Sequence, residues 1–182
     1  MAGAAPQHLR ASGADLGASP CDVARRGQER DLRAGTLYPP QIVGFAKAVE
    51  LALSEEETEA QRQTHLRNRL WETLKQLDGI HLNGHPTQRL PNNLNISIEG
   101  VNGSALHLAL QPTLALSAGS ACSSGKTAPS HVLKALGRPD SLAYASLRFG
   151  LGRFTTPAEI DQAAQMAIAA IEDSRRARLT TP

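Results

Sequence analysis

Ala145-Ser146-Leu147-Arg148-Phe149-Gly150 alternates apolar and polar residues without a break. Successive side chains of an extended strand point to opposite faces, so Ala145, Leu147 and Phe149 share one face and Ser146 and Arg148 share the other. Working outward, Leu94-Asn95-Ile96-Ser97-Ile98 alternates in the same way and predicts a second half-buried strand. Ile80-His81-Leu82, ahead of an Asn83-Gly84 turn, is a third short strand candidate, and the apolar run Leu114-Ala115-Leu116 is a fourth. Short strands interleaved with helical patterns predict an α+β fold, with helices packed on one face of a small, largely antiparallel sheet.

The helical patterns frame these strands. Pro39-Pro40 suits a first helical turn, and Ile42, Phe45, Ala46, Val49, Ala52 and Leu53 recur at helical spacing. Ser54 with Glu57 reads as a capping box, so either a second helix starts there or one long helix bends. Leu66, Leu70, Leu74 and Leu77 carry the apolar stripe onward, and Asp78-Gly79 closes it. Gly103-Ser104 opens a short helix from Ala105 to Leu110, and Pro129 to Leu136 is helix-like. Thr156-Pro157-Ala158-Glu159 is a further capping box, followed by the stripe Ile160, Ala164, Ala167, Ile168 and Ile171, with fraying expected from about Ser174. Residues 1–26, rich in Ala, Gly, Ser and Pro, read as a disordered or poorly packed segment with no signal-peptide core, in which Cys21 is incidental.

Bulk properties narrow the function. The 182 residues suit one domain, and 41% hydrophobic with 20% charged residues is ordinary for a soluble protein. A net charge of +2 argues against nucleic acid or a membrane surface as partner, and no apolar run reaches transmembrane length. Two distant cysteines, Cys21 and Cys122, make neither a disulfide framework nor a metal cluster, which fits a reducing, cytoplasmic compartment. The histidines show no metal-ligand spacing, and His81 and His85 beside their turn read as surface residues.

Three groups could carry chemistry. Ser117-Ala118-Gly119-Ser120-Ala121-Cys122-Ser123-Ser124-Gly125 places a thiol among small and polar residues; spacing alone fits either an inert buried cysteine or a reactive one. Arg148 on an otherwise apolar strand needs an anion, which an internal carboxylate or a ligand carboxylate could equally supply. Arg33-Ala34-Gly35-Thr36 is either an anion cradle or an ordinary loop.

Taken together, these pieces resemble the C-terminal part of the pyridoxal-phosphate-dependent cysteine desulfurases, in the class V aminotransferase group. The matching motifs are Gln28-Glu29-Arg30 with Arg33-Ala34-Gly35-Thr36, Leu66-Arg67-Asn68-Arg69-Leu70-Trp71, and Gly119-Ser120-Ala121-Cys122. They continue with Pro129 to Gly137 and Leu147-Arg148-Phe149-Gly150-Leu151-Gly152-Arg153-Phe154-Thr155-Thr156. The resemblance runs over residues 27–182 and leaves 1–26 as a non-family segment. It implies that Cys122 is the nucleophile that takes sulfur from L-cysteine as a persulfide, releasing L-alanine. It implies that Arg148 holds the substrate carboxylate, and that Gly35 and Thr36 reach the pyridoxal phosphate of a neighbouring subunit in a dimer. Sulfur would pass to an acceptor or iron–sulfur scaffold protein. The family's larger domain, with its Schiff-base lysine, has no counterpart here: Lys47, Lys75, Lys126 and Lys134 all fall within C-terminal segments. The expectation is therefore a truncated form, inactive alone and without tight cofactor binding, or else a non-catalytic persulfide carrier or dimerisation module that pairs with a complete homologue.

Overall fold

The computed structural model describes residues 35–118 and 129–179. The chain divides into two compact units, Met1–Leu51 and Ala52–Pro182, and helix α1 (Pro39–Leu74) begins in the first and ends in the second. Ser54 and Glu57 therefore lie inside one continuous helix and not at the start of a second. The favourable helix formers that follow them, Glu-, Gln- and Arg-rich, outweigh a local capping option.

The first unit contains, among its described residues, the turn at Gly35 and the first half of α1. Ile42, Val43, Phe45, Val49 and Leu51 there are all exposed, Phe45 by 72% of its surface.

In the second unit α1 is followed by β1 (Ile80–Leu82), β2 (Asn93–Ile98), α2 (Gly103–Leu110), β3 (Ser117–Ala118), α3 (His131–Ala135), α4 (Asp140–Tyr144), β4 (Ser146–Gly150) and α5 (Pro157–Leu179). The four strands form one sheet in the order β1-β2-β4-β3, every pair antiparallel. Leu94 stands opposite Phe149 and Ile96 opposite Leu147, which fixes one apolar face. On that face Leu94, Ile96, Ile98, Leu147 and Phe149 pack with Leu66, Leu70 and Leu74 of α1, Leu106 and Leu110 of α2, and Ile160, Ala164, Ala167 and Ile171 of α5. These are the positions at which the alternation and the helical stripes converge, and a strand face of this kind must be covered to be stable.

Five details depart from the sequence expectation. The strand expected at Leu114–Leu116 forms instead at Ser117–Ala118, because Leu114 is held back by a hydrogen bond to Leu110 O (2.8 Å) that continues the end of α2. Helix α1 stops at Leu74, ahead of Asp78-Gly79. Helix α4 was not anticipated; it is a single short turn after Pro139, too brief to show a periodic stripe. Helix α5 continues past Ser174 to Leu179, because Arg175 folds back onto Glu99 O (3.0 Å) and Asp78 O (2.7 Å) and ties the last turns to the body. Finally, α3 lies on the opposite side of the sheet from the main core, since it faces Asn93, Asn95 and Arg148 and not their apolar neighbours.

The capping box at α5 forms as expected: Glu159 N donates to Thr156 Oγ1 (3.2 Å), and Thr156 N donates to Glu159 Oε2 (2.8 Å). The Gly152–Thr155 loop ahead of it is fastened by Arg62, which donates to Thr155 O (2.7 Å), Gly152 O (3.0 Å) and Arg153 O (2.8 Å).

Candidate functional site

Strand β4 delivers Arg148 to the face away from the main core. Its cross-strand neighbours there are Asn95 of β2 and Ser117 of β3. Between this face and α3 lies a groove of about 290 Å³, lined by Arg148, Asn93, Asn95, Arg89, Val132 and Leu133 among others. Arg148 is exposed, and its guanidinium makes no hydrogen bond or ion pair among the described residues. An isolated cation beside low-dielectric walls attracts an anion strongly.

The floor of the groove is a buried polar network. Asn83, only 4% exposed, uses its whole amide: Nδ2 donates to Asn95 Oδ1 (2.7 Å) and Ser97 Oγ (2.8 Å), and Oδ1 accepts from Arg138 Nε (2.7 Å) and Ser97 Oγ (3.2 Å). Arg138 also donates to Leu82 O (2.6 Å). Arg89 donates to Asn83 O and to His85 O (2.8 Å), and Arg67 donates to Leu90 O (3.0 Å). Burial pulls the Arg67 and Arg89 guanidinium groups below their ordinary range, and the charge of Arg67 adds to the effect at Arg89. These three arginines brace the loop between β1 and β2 through carbonyls, without a carboxylate among the described residues. The composition explains why: from Gly79 to Pro139 the only acidic residue is Glu99, and it pairs with His81 (2.7 Å). The groove is thus positive, and Asn93 Oδ1 on its wall is buried with no hydrogen-bond partner.

The larger cavity of about 920 Å³ between α2 and α5 is lined mainly by apolar residues such as Leu106, Leu110, Met166 and Ala170. Its polar lining, Asn102, Thr113, Asp173, Ser174 and Arg178, includes neither a cysteine nor a histidine, so it is the poorer chemical site despite its size.

The other expected site residues are placed as follows. Gly35 and Thr36 belong to the first unit, ahead of α1, and both are exposed. Gly35 has φ +103°, a conformation that favours glycine, and the Thr36 hydroxyl makes no hydrogen bond among the described residues. A phosphate oxygen suits such a turn. Cys122, Cys21 and Lys126, like the Gln28–Ala34 part of the first motif, lie outside the described residues. Among the described lysines, Lys47 pairs with Glu50, Lys75 with Glu72 and Lys134 with Asp140. His85, read as a surface residue, accepts at Nδ1 from Gln88 N (2.9 Å) and Thr87 N (3.2 Å), which makes it a turn former. Among the described residues there is no cluster of groups fit to hold a metal.

Sequence reasoning missed Asn83, Asn93, Asn95 and Arg138. The one available signal was that β2 carries a polar residue at every second position; only the cover supplied by α3 turns that face from a solvated surface into a site.

Comparisons with known proteins agree with this fold. The family model described as aminotransferase class-V matches residues 10–163. A cysteine desulfurase IscS of Enterobacter sp. (strain 638) is 51% identical over 135 residues, covering 74% of this chain and 33% of that protein. Another from Aeromonas hydrophila subsp. hydrophila is 48% identical over 140 residues, covering 77% of this chain and 34% of that protein. The chain therefore spans about a third of the length of the curated relatives it matches. Among solved structures, a NifS-like protein superposes with a TM-score of 0.69 at 30% identity, over 81% of this chain and 38% of that one. A NifS-like protein from Rickettsia africae gives a TM-score of 0.69 at 26% identity over the same shares.

Proposed function

The chain belongs to the aminotransferase class-V family, and from that premise we propose that it is the C-terminal, sulfur-accepting part of a cysteine desulfurase. The observation that carries this reading is the unpaired Arg148 in an acid-free groove, with Ser117 opposite it and Ser130 on the groove wall. Cys122 follows Ser117 by five residues and precedes Ser130 by eight, so in sequence the thiol falls between two residues of the site.

In the proposed reaction L-cysteine loses its sulfur to Cys122. The substrate Cβ–S bond breaks and a sulfur–sulfur bond forms at Cys122, while two protons, one from each thiol or an equivalent donor, leave a persulfide SH and the methyl group of L-alanine. Arg148 holds the substrate carboxylate through a two-pronged hydrogen bond, which positions the substrate and fixes which face meets the thiol. Bound pyridoxal phosphate supplies the electron sink that makes Cβ–S cleavage feasible. In a dimer Gly35 and Thr36 meet its phosphate across the subunit boundary. With every described lysine in an ion pair, the remaining cofactor contacts come from residues other than those described, and the chain by itself binds pyridoxal phosphate weakly. The sulfur passes directly to a scaffold or carrier protein in a cytoplasmic setting, before cellular thiols can reduce the persulfide.

A second reading, in which the chain acts as a persulfide carrier or pairs with a complete homologue, is supported by its matching only about a third of the length of its curated relatives. One experiment addresses both. The purified chain is mixed with a complete desulfurase lacking its own nucleophilic cysteine, given L-cysteine, and weighed intact. A parallel sample receives a persulfide donor in place of the desulfurase and L-cysteine, and each reading expects one added sulfur in at least one sample, removed by reducing agent and absent in Cys122→Ser. Alanine release together with that sulfur supports the catalytic reading. Sulfur gained only from an external persulfide donor supports the carrier. Equal labile sulfur on Cys122→Ser and on wild type rejects both.

A further inference from the structure

We propose that Asn95 is a second carboxylate-binding residue, which donates its Nδ2 to the substrate carboxylate beside Arg148 and is held in that orientation by the buried Asn83–Ser97–Arg138 network. The inference rests on the reading of Arg148 as the carboxylate-binding arginine.

Asn95 is the direct cross-strand partner of Arg148, so both side chains leave the sheet on one face, and both line the same groove. Directly opposed residues of antiparallel strands have Cβ atoms about 5 Å apart, a separation that one carboxylate can bridge. Asn83 Nδ2 donates to Asn95 Oδ1 (2.7 Å), so the acceptor end of the Asn95 amide is taken and Nδ2 is its free end. Nδ2 makes no hydrogen bond among the described residues, nor is it among the buried atoms without partners, so it keeps access to the groove.

Asn83 cannot turn to release it. Each of its amide atoms makes two bonds, to Asn95, Ser97 and Arg138, and its side chain is buried. A fully satisfied buried amide specifies a single orientation, because any flip sets donors against donors. Arg138 contributes a charge-assisted bond to Asn83 Oδ1 and a second tether to Leu82 O, which fastens the network to β1. The groove thus offers a cation and a fixed neutral donor side by side, with no carboxylate among the described residues to quench them. That pair discriminates in favour of a planar anion with two oxygens and against a single-point anion such as chloride.

The test uses the full chain titrated with L-alanine, followed by heteronuclear NMR of the arginine Nε–H and asparagine side-chain signals, with L-alaninamide as the control that lacks the carboxylate. Wild type is expected to show saturable shifts at Arg148 Nε–H and at the Asn95 amide with L-alanine only. Asn95→Leu should weaken binding about tenfold, the loss of one hydrogen bond to a charged group. Asn95→Asp keeps an acceptor for Asn83 and is the sharper variant. It should lose binding at pH 7, where its carboxylate pairs with Arg148 and faces the ligand's, and begin to regain it only below about pH 4, because the Arg148 guanidinium holds the introduced carboxyl below the usual carboxylate range. A purely structural role for Asn95 would leave no such pH profile. Equal affinity of wild type and Asn95→Leu, with binding lost in Arg148→Gln, overturns the role of Asn95 and leaves that of Arg148 intact. Undiminished binding by Arg148→Gln, or no saturable shift in wild type, overturns the carboxylate reading of the groove itself.

Discussion

Arg69 and Asp161 join α1 to α5 through two parallel hydrogen bonds of 2.6 Å each, Nε to Oδ1 and Nη2 to Oδ2. The guanidinium holds the Asp161 carboxyl below the usual carboxylate range. A folded-state value below the unfolded one, about 3.9 for Asp, means that the pair's contribution is complete above that value and is lost as pH falls through the lower folded value. Glu159, lowered by the Thr156 backbone N–H, and Glu59, lowered by Arg62, act in the same direction. Arg69→Gln should therefore melt below wild type at pH 7, with the gap closing as the pH drops below about 4. Melting curves at stepped pH would measure it, and a gap of constant size down to pH 2 would show that the pair carries no linkage. Both partners are well exposed, so the expected shift is small.

At the scale of elements, α2 is seated against the turn that leads into β4. An added Cβ on Gly103, the first residue of α2, would lie 2.0 Å from Tyr144 O and 2.8 Å from Ala145 Cα. These are backbone atoms and cannot swing aside. In an isolated helix, replacing glycine with alanine gains up to about 1 kcal/mol. Here the close approach reverses the sign, and Gly103→Ala should destabilise by about 2 kcal/mol or more, in the range of overpacked cores. Denaturant unfolding would read it directly; a stabilised variant would mean that α2 can lift away from the β4 turn. The site depends on this contact, because β4 is the strand that presents Arg148.

For the whole molecule, the first half of α1 is the conspicuous feature. Ile42, Val43, Phe45 and Val49 stand exposed on one helix without apolar cover among the described residues of their unit, Val43 by 67%. Apolar patches of this kind are uncommon on monomeric proteins and favour association. The curated relatives are about three times as long as the stretch they share with this chain, so their additional chain is one source of cover. The purified chain is expected to self-associate as concentration rises, and Phe45→Ser with Val49→Ser should shift it towards monomer and lower its binding of a hydrophobic dye. Sedimentation equilibrium on both forms tests this, and a wild type that stays monomeric at high concentration would count against it.

The sequence alone determined the strands at β2 and β4, the apolar stripes of α1 and α5, and the Thr156–Glu159 cap. Those features are written in local periodicity and in side chains a few residues apart, and local sterics suffice to read them. It also marked Arg148 as a residue in need of an anion, because a cation alternating with Leu147 and Phe149 is costly without one. The fourth short helix and the placement of α3 on the far side of the sheet were decided by tertiary packing. So was the groove. Asn83 and Asn95 are 12 residues apart in the chain, and Arg138 is 55 residues from Asn83. A hydrogen-bond network across such separations exists only once the sheet has brought its members together. Alternation said which way Asn95 would point; only the folded sheet put Arg148 beside it and Asn83 beneath it.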